Sequence, residues 1–442
     1  MRNRLYIISL LVLNLLMGIM PWGSGYLSLI ILLTYLMFRP KRVLHPNNMI
    51  FAFYGLYVIL SSTLNLILYL IDWEYVLPWG QYIFWDTFSL YLLFQVEFTF
   101  LVLYFSFNYF SRNQGAQMVP VQQGVVINSV MLNVLYAFTV MLVLGFIQVT
   151  GGLDAWLTEY SLTYLTKREG HGLFNVMTIT FGNIVVFLLG LKAFYAKEKR
   201  WILAAAFIIM IALSYINGVK SRFIFLLILL LSPLFMSMAF RLKYVVIFAA
   251  SFFVLLYLGT LVRTEGFYAT GPFFLEMLIG YFNSFQLHDY IVTSREPALL
   301  QTVSQIFIKP LQILGLADAS EDFDISVMLT KEFFPAQWED EHATQQWPLD
   351  TELYLNYYGP WLSWFPLIAY GFFLSKLYRV AVLHRNYALM PIYMIEFQRI
   401  FSTMRGTLIP WEVFIYIGQY IVIYLICKQV IQTKPTAAMA HE

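Results

Sequence analysis

Blocks of apolar residues alternate with short polar breaks along almost the entire chain. A helix that crosses a bilayer needs about 20 mainly apolar residues. Read in order, the blocks predict twelve such helices, at residues 5–20, 26–38, 49–71, 82–110, 125–148, 173–195, 201–216, 223–240, 245–262, 361–382, 388–401 and 410–427. The shorter blocks fit tilted or re-entrant segments. Two stretches break the rhythm: residues 150–172 and, at much greater length, 263–360, which holds most of the acidic side chains. Within the latter, 273–290 spaces its apolar residues in a near-helical pattern with polar interruptions, as a helix lying in the membrane interface does. Trp338, Trp347, Trp361 and Trp364 stand where the stretch returns to the apolar blocks, in the manner of aromatic anchors at a bilayer surface.

Composition agrees with this pattern. Of 442 residues, 60% are hydrophobic and 12% charged, against about 25% charged in soluble domains. The expected fold is an all-α polytopic membrane protein with about twelve transmembrane helices, a single membrane domain over 1–442 with one large outer loop at 263–360. The first block follows Arg2 and Arg4 as a signal peptide would, but Pro21 and Trp22 come next instead of a small-residue cleavage site, so it reads as a mature helix. With the N-terminus in the cytoplasm, most of the 27 Lys and Arg fall in short inner loops, including the runs Arg39, Lys41, Arg42 and Lys197, Lys199, Arg200. The positive-inside rule therefore places both termini in the cytoplasm and the large loop outside.

Several chemistries have no support. The net charge of +2 comes from basic residues scattered in small clusters, which argues against nucleic acid as a partner. The single cysteine, Cys427, excludes an internal disulfide, and six histidines without metal-ligand spacing suggest neither a metal nor any other cofactor. Neither a Walker loop nor a GxSxG elbow occurs.

The informative charges are those at outer helix ends. Arg222, Arg263, Arg399 and Arg405 all belong to the outer leaflet in this topology. Guanidinium groups bind phosphate through paired N–H donors at any pH, so four of them form a candidate anion site; the plainer alternative is that each snorkels to headgroups. Glu97 and Glu396 fall inside predicted spans, where a carboxyl either pairs with a neighbouring helix or relays protons. His288, beside Asp289, and His342 lie in the outer loop as available bases or as solvated histidines.

Three segments carry a resemblance: PLDTELYLNYYGPW at 348–361, GVKSRF at 218–223 and MRGTLIP at 404–410. Together with the long loop they resemble the bacterial O-antigen polymerase (Wzy-type) family of oligosaccharide repeat-unit polymerases. The resemblance implies a GT-C-like membrane glycosyltransferase in the bacterial inner membrane. Its substrates would be undecaprenyl-diphosphate-linked oligosaccharides, joined at the periplasmic face without a nucleotide sugar, with membrane lipids and a chain-length regulator as further partners. O-antigen ligases share the architecture but carry a His-Asn pair where this chain has Thr351 and Glu352; a flippase would show short loops and buried charges through both leaflets. The Arg-x(10)-Gly signature of some polymerases is absent, because eleven residues after Arg222 stands Pro233 and eleven after Arg263 stands Phe274. In this reading the four arginines grip the lipid diphosphate. Glu352, then Asp350, then His288 are the candidates to take the acceptor proton, and Tyr354, Tyr357 and Tyr358 are platforms for sugar rings. Arg222→Ala is expected to abolish polymer while single repeat units persist, read on a glycolipid ladder; full-length polymer in that variant would leave Arg222 a structural or snorkelling residue.

Overall fold

The computed structural model describes residues 2–73, 88–112, 124–160, 163, 170–195, 199–217, 220–241, 243, 250, 253–254, 257, 271–282, 284–313, 316, 324–341 and 344–434. In chain order its helices are α1 (Arg2–Ile19), α2 (Gly23–Phe38), α3 (Pro46–Leu70), α4 (Leu90–Phe110), α5 (Ser129–Val149), α6 (Gly152–Thr158), α7 (Gly172–Tyr195), α8 (Lys199–Ile216), α9 (Lys220–Leu230), α10 (Ser232–Ser237), α11 (Gly271–Tyr281), α12 (Ser284–Ser294), α13 (Gln305–Ile313), α14 (Ile325–Phe333), α15 (Pro335–Glu341), α16 (Leu349–Asn356), α17 (Pro360–Leu383), α18 (Met390–Met404) and α19 (Val413–Val430). Two short strands, β1 (Gly124–Ile127) and β2 (Ile431–Lys434), pair antiparallel.

Among the described residues seven helices are long and apolar enough to cross a membrane: α3, α4, α5, α7, α8, α17 and α19. They overlie seven of the twelve predicted blocks. α1 and α2 are apolar but shorter. The block at 223–240 is divided between α9 and α10, which meet at Leu231, two residues before Pro233; a proline ring removes one backbone donor and crowds the preceding turn. Most of the block at 245–262 lies outside the described residues. Along the spanning helices large apolar side chains remain uncovered by protein, such as Ile417, Ile421 and Leu425 one turn apart on α19, and Val130, Val134 and Met141 on α5. Faces of that extent require lipid around them. The protein is an all-α, multi-pass membrane protein.

The chain forms two compact units that interleave in sequence. The first comprises Met1–Arg112, Ala239–Ser375 and Arg399–Phe414; the second comprises Asn113–Met238, Lys376–Gln398 and Ile415–Glu442.

In the first unit α2, α3 and α4 meet through aromatic rings: Tyr35 stacks on Phe51, and Tyr54 meets Phe100 edge-on. Helix ends that the charges assign to the inner side are held together here, since His45 Nε2 bonds Ser111 Oγ at 2.8 Å and the Tyr104 hydroxyl donates to the Phe38 carbonyl at 3.0 Å. Glu97 on α4 receives a hydrogen bond from Asn14 on α1 at 2.9 Å, the pairing expected of a carboxyl inside a span. The middle of α3, Gly55–Leu60, is a π-helical turn, an insertion often found at functional sites.

The described part of the 263–360 stretch packs within this unit. Residues 273–290 form two helices instead of one, and α12 is buried where an interfacial helix would lie exposed. Phe285 packs on Phe53 and Tyr54, and Gln286 donates to Ser61 Oγ at 3.4 Å. Leu287, Ile291, Ile325, Leu329, Phe334, Trp347, Tyr354 and Leu355 give the stretch a core of its own. Trp347 is thus fully buried and anchors protein, where the sequence pattern suggested a bilayer surface.

In the second unit α7 is the central helix, packed by α5, α8 and α9. Asn128 caps α5 by accepting from the N–H groups of Val130 and Met131, and the β1–β2 pair ties the start of α5 to the end of α19. Lys192 donates to Ser129 at 3.1 Å, joining the end of α7 to the start of α5. Glu396 on α18 accepts from the Tyr420 hydroxyl on α19. Gly190 lets α7 approach the Leu230 backbone: a Cβ there would stand 2.1 Å from the Leu230 carbonyl oxygen. Close backbone approach at small residues is a general means of helix association in membranes. Gly190→Ala should therefore force the two helices apart and cost about 1–3 kcal/mol of stability, seen as a lower thermal midpoint of the detergent-solubilised protein.

Candidate functional site

The segment that leads into α17 presents carboxyls on two sides. Pro348 precedes α16, and Asp350 and Glu352 occupy its first turn, where negative charge complements the exposed N–H groups. Two residues apart on a helix lie about 200° apart in projection, so these carboxyls meet different neighbours. Asp350 faces α4: its Oδ1 accepts from Thr99 Oγ1 at 2.6 Å, and its carbonyl accepts from Gln95 Nε2 at 2.8 Å. Glu352 faces the chain that follows α18: its Oε2 accepts from the Leu408 N–H at 2.7 Å. All eight residues of α16 are buried.

The exit of α16 is equally fixed. Tyr358 and Gly359 adopt successive left-handed backbone conformations, with φ of 51° and 60°, and a Cβ on Gly359 would meet the Tyr91 hydroxyl at 2.6 Å. The Asn356 side chain binds Thr302 twice, accepting from its N–H and donating to its hydroxyl, each at 2.8 Å. These bonds draw residues 298–306 alongside α16.

A small, partly open cavity results. Glu352, Asn356 and Tyr357 line it from α16; Thr302, Val303, Gln305 and Ile306 from the adjoining chain; Asp324 and Ile325 from the start of α14; and Thr407, Ile409 and Trp411 from the segment after α18. Its described lining thus combines hydroxyls, amides, two carboxyls and two aromatic rings, all within the first unit.

Burial sets the protonation states. It pushes the Glu352 carboxyl up to about 8 against the opposing pull of the Leu408 N–H, and Asp350 up to about 7 against its bond from Thr99. Asp324 is also raised by burial, although Ser326 donates to it at 2.6 Å. His288 is lowered to about 3 by burial and is neutral at physiological pH; its Nδ1 lies 3.0 Å from Thr351 Oγ1.

The sequence candidates therefore occupy distinct settings. Of the three proton acceptors, Glu352 lines the cavity, whereas Asp350 is engaged with α4 and His288 with Thr351. Of the three tyrosines, Tyr357 lines the cavity, Tyr354 is buried with its hydroxyl donating to the Arg295 carbonyl, and Tyr358 is exposed. Arg405 stands three residues before Leu408, its guanidinium 5.6 Å from the Tyr57 ring centre and its buried Nε without a hydrogen-bond partner among the described residues. Arg399 is half-buried near the end of α18. Arg222 belongs to the second unit and donates to Asn183 Oδ1 at 2.7 Å. Arg263 lies outside the described residues.

Sequence reading did not select Asp324, Thr302, Gln305, Thr407 or Trp411. Asp324 had a signal as a helix cap ahead of an apolar run. The others gather through contacts distant in sequence.

Asp350 gives a stability test. Its folded pKa lies above its ordinary value of 3.8, so ionising it costs stability as pH rises from about 4 to about 7, by up to about 4 kcal/mol at 1.36 kcal/mol per pKa unit. Asp350→Asn should flatten that dependence, seen as a smaller fall in thermal midpoint than the wild type shows between pH about 4 and about 8.

The chain matches no family model, no curated protein and no solved structure.

Proposed function

We propose that this protein joins undecaprenyl-diphosphate-linked oligosaccharide repeat units into O-antigen or capsular polysaccharide at the periplasmic face of a bacterial inner membrane, with both termini cytoplasmic. The observation that carries the reading is the hydrogen bond from Leu408 to Glu352. It joins the 348–361 segment to the segment containing Arg405, two of the three that carry the family resemblance, at the wall of one cavity.

In the proposed reaction an acceptor hydroxyl attacks the anomeric carbon of the lipid-linked donor. The new C–O bond forms as the bond to the diphosphate breaks, and the leaving electron pair remains on the diphosphate oxygen. Glu352 takes the hydroxyl proton on Oε1, the oxygen not held by Leu408. A carboxylate with its pKa near 8 is a stronger base than an ordinary one, while a useful fraction is ionised at neutral pH. Arg405 supplies positive charge for the developing diphosphate, the largest stabilising contribution expected in such a transfer. Its neighbour Tyr57 orients the guanidinium through its ring face.

Glu352→Gln keeps an acceptor for the Leu408 N–H and removes the base. In proteoliposomes supplied with lipid-linked repeat units, it should slow polymer formation by about 10²- to 10⁴-fold. The wild-type rate should rise with pH through about 8 as Glu352 ionises, and the variant should lack that limb. Polymer made by the variant within a factor of a few of wild type would remove the cavity from the chemistry.

A further inference from the structure

Residues 299–311 run beside the candidate site and present apolar side chains outward. Leu299 pairs with Tyr357 through the backbone, and the Leu300 N–H donates to the Asn356 carbonyl at 3.1 Å. Both leucines are exposed. Leu300 also has a φ of 53°, a left-handed conformation that a turn in water ordinarily gives to Gly, Asn or Asp. In α13 the side chains divide by face. Gln305 is buried, whereas Phe307 and Leu311, four residues apart and so on one side of the helix, are exposed.

This strip joins the first turns of two spanning helices. At one end the Phe307 ring lies 6.2 Å from that of Phe414, which is itself exposed in the first turn of α19. At the other, the Tyr358 N–H donates to the Ala298 carbonyl at 2.9 Å, and Tyr358 leads directly into α17, where Trp361, Trp364 and Phe365 are exposed in the first two turns. Tryptophans at the end of a spanning helix mark the level of the bilayer surface. An exposed apolar strip continuous with them has lipid to cover it, and a short helix with an apolar outer face suits the boundary between headgroups and acyl chains. The strip also borders the cavity: Val303 and Ile306 line it from this stretch, and Ile409 lines it while remaining exposed.

We propose that residues 299–311 form a membrane-interface element covered by the lipid leaflet in which α17 and α19 begin, and that the cavity opens beside Ile409 into the headgroup layer. A molecule that enters there comes as part of a lipid and not from bulk water. The polymerase reading supplies only the identity of that lipid, the carrier of an oligosaccharide.

The test is spin-label accessibility on the full chain in liposomes of phosphatidylethanolamine and phosphatidylglycerol. Labels are placed singly through Phe307→Cys, Leu311→Cys and Ile409→Cys. Ile421→Cys on α19 is the lipid-facing reference, and Ala336→Cys on α15, exposed three residues from the exposed Glu339, is the water-facing one. The unsubstituted chain, whose Cys427 is fully buried, serves as the blank. Collision with oxygen, which concentrates in lipid, is compared with collision with a water-soluble nickel chelate. At the first three positions the oxygen-to-nickel ratio should exceed that of Ala336→Cys by about threefold or more and stay below that of Ile421→Cys, as the interface requires. A ratio equal to that of Ala336→Cys at Phe307 and Leu311 would put the strip in water. Exclusion of both reagents there would show a covering of protein, from this chain or another. Either result overturns the proposal, and a water-like ratio at Ile409→Cys alone overturns entry from the headgroup layer. None of these measurements needs turnover, so absence of polymer from lipid-linked units would sink the polymerase reading and leave the interface element standing.

Discussion

A carboxyl withdrawn from water, with no cation beside it, persists only if hydrogen bonds hold its ionised form or a proton neutralises it. Glu352 is in that position. One backbone N–H, from Leu408, holds one of its oxygens, and burial pushes its pKa to about 8. The cost of burying it is tolerated because the same bond closes the structure, tying α16 to the chain after α18 and completing a cavity assembled from four stretches of sequence. Were Glu352 apolar, the Leu408 N–H would lose its acceptor, and the segment with Arg405 would lose its tie to α16.

Other polar side chains on the helices also find neutral partners. Glu97, inside the span of α4, and Glu396, on α18, are served by neutral donors, Asn14 and Tyr420. Gln419 donates to Thr180 across α19 and α7 at 2.9 Å. Such amide and hydroxyl pairs knit helices whose apolar faces gain little from meeting one another in lipid. Asp350 belongs with them: it fastens the returning segment to α4 through Thr99. Proximity in sequence to Glu352 does not give it the same role, because the helix turns the two side chains to opposite sides.

How far the sequence foretold this depends on the range of the interactions. Spanning helices are local objects, and the hydrophobic blocks marked α3, α5, α7, α8, α17 and α19 closely. The predicted span at 82–110 is longer than α4, which is capped by Ser89 and begins at Leu90; residues 82–87 lie outside the described residues. The predicted span at 223–240 is divided at Leu231, just before Pro233. Periodicity could show that 284–294 is helical but not that Phe285, Gln286 and His288 are buried, because that burial comes from contacts with Phe53, Ser61 and Thr351, the nearest of them 63 positions away. In the candidate site, position within the returning segment was enough to select Glu352 and Tyr357. Thr302 and Thr407 are ordinary loop residues in the sequence and reach the site only because Asn356 and Glu352 bind their segments to α16.

Charge is partitioned in a way that bears on the chemistry. The described cavity lining is acidic or neutral, whereas Arg405 packs on Tyr57 of α3, at the π-helical turn. The proposed reaction between a sugar hydroxyl and a sugar diphosphate would use that separation. The base must sit among neutral groups if its pKa is to stay high enough to accept a proton, and a cation placed against it would lower that pKa and blunt it. The cation in turn must face the leaving group, where desolvation strengthens its pull. Holding Glu352 through a backbone N–H, a dipole and not a charge, keeps it basic, while the short run from Arg405 to Leu408 keeps the guanidinium within the same structural unit.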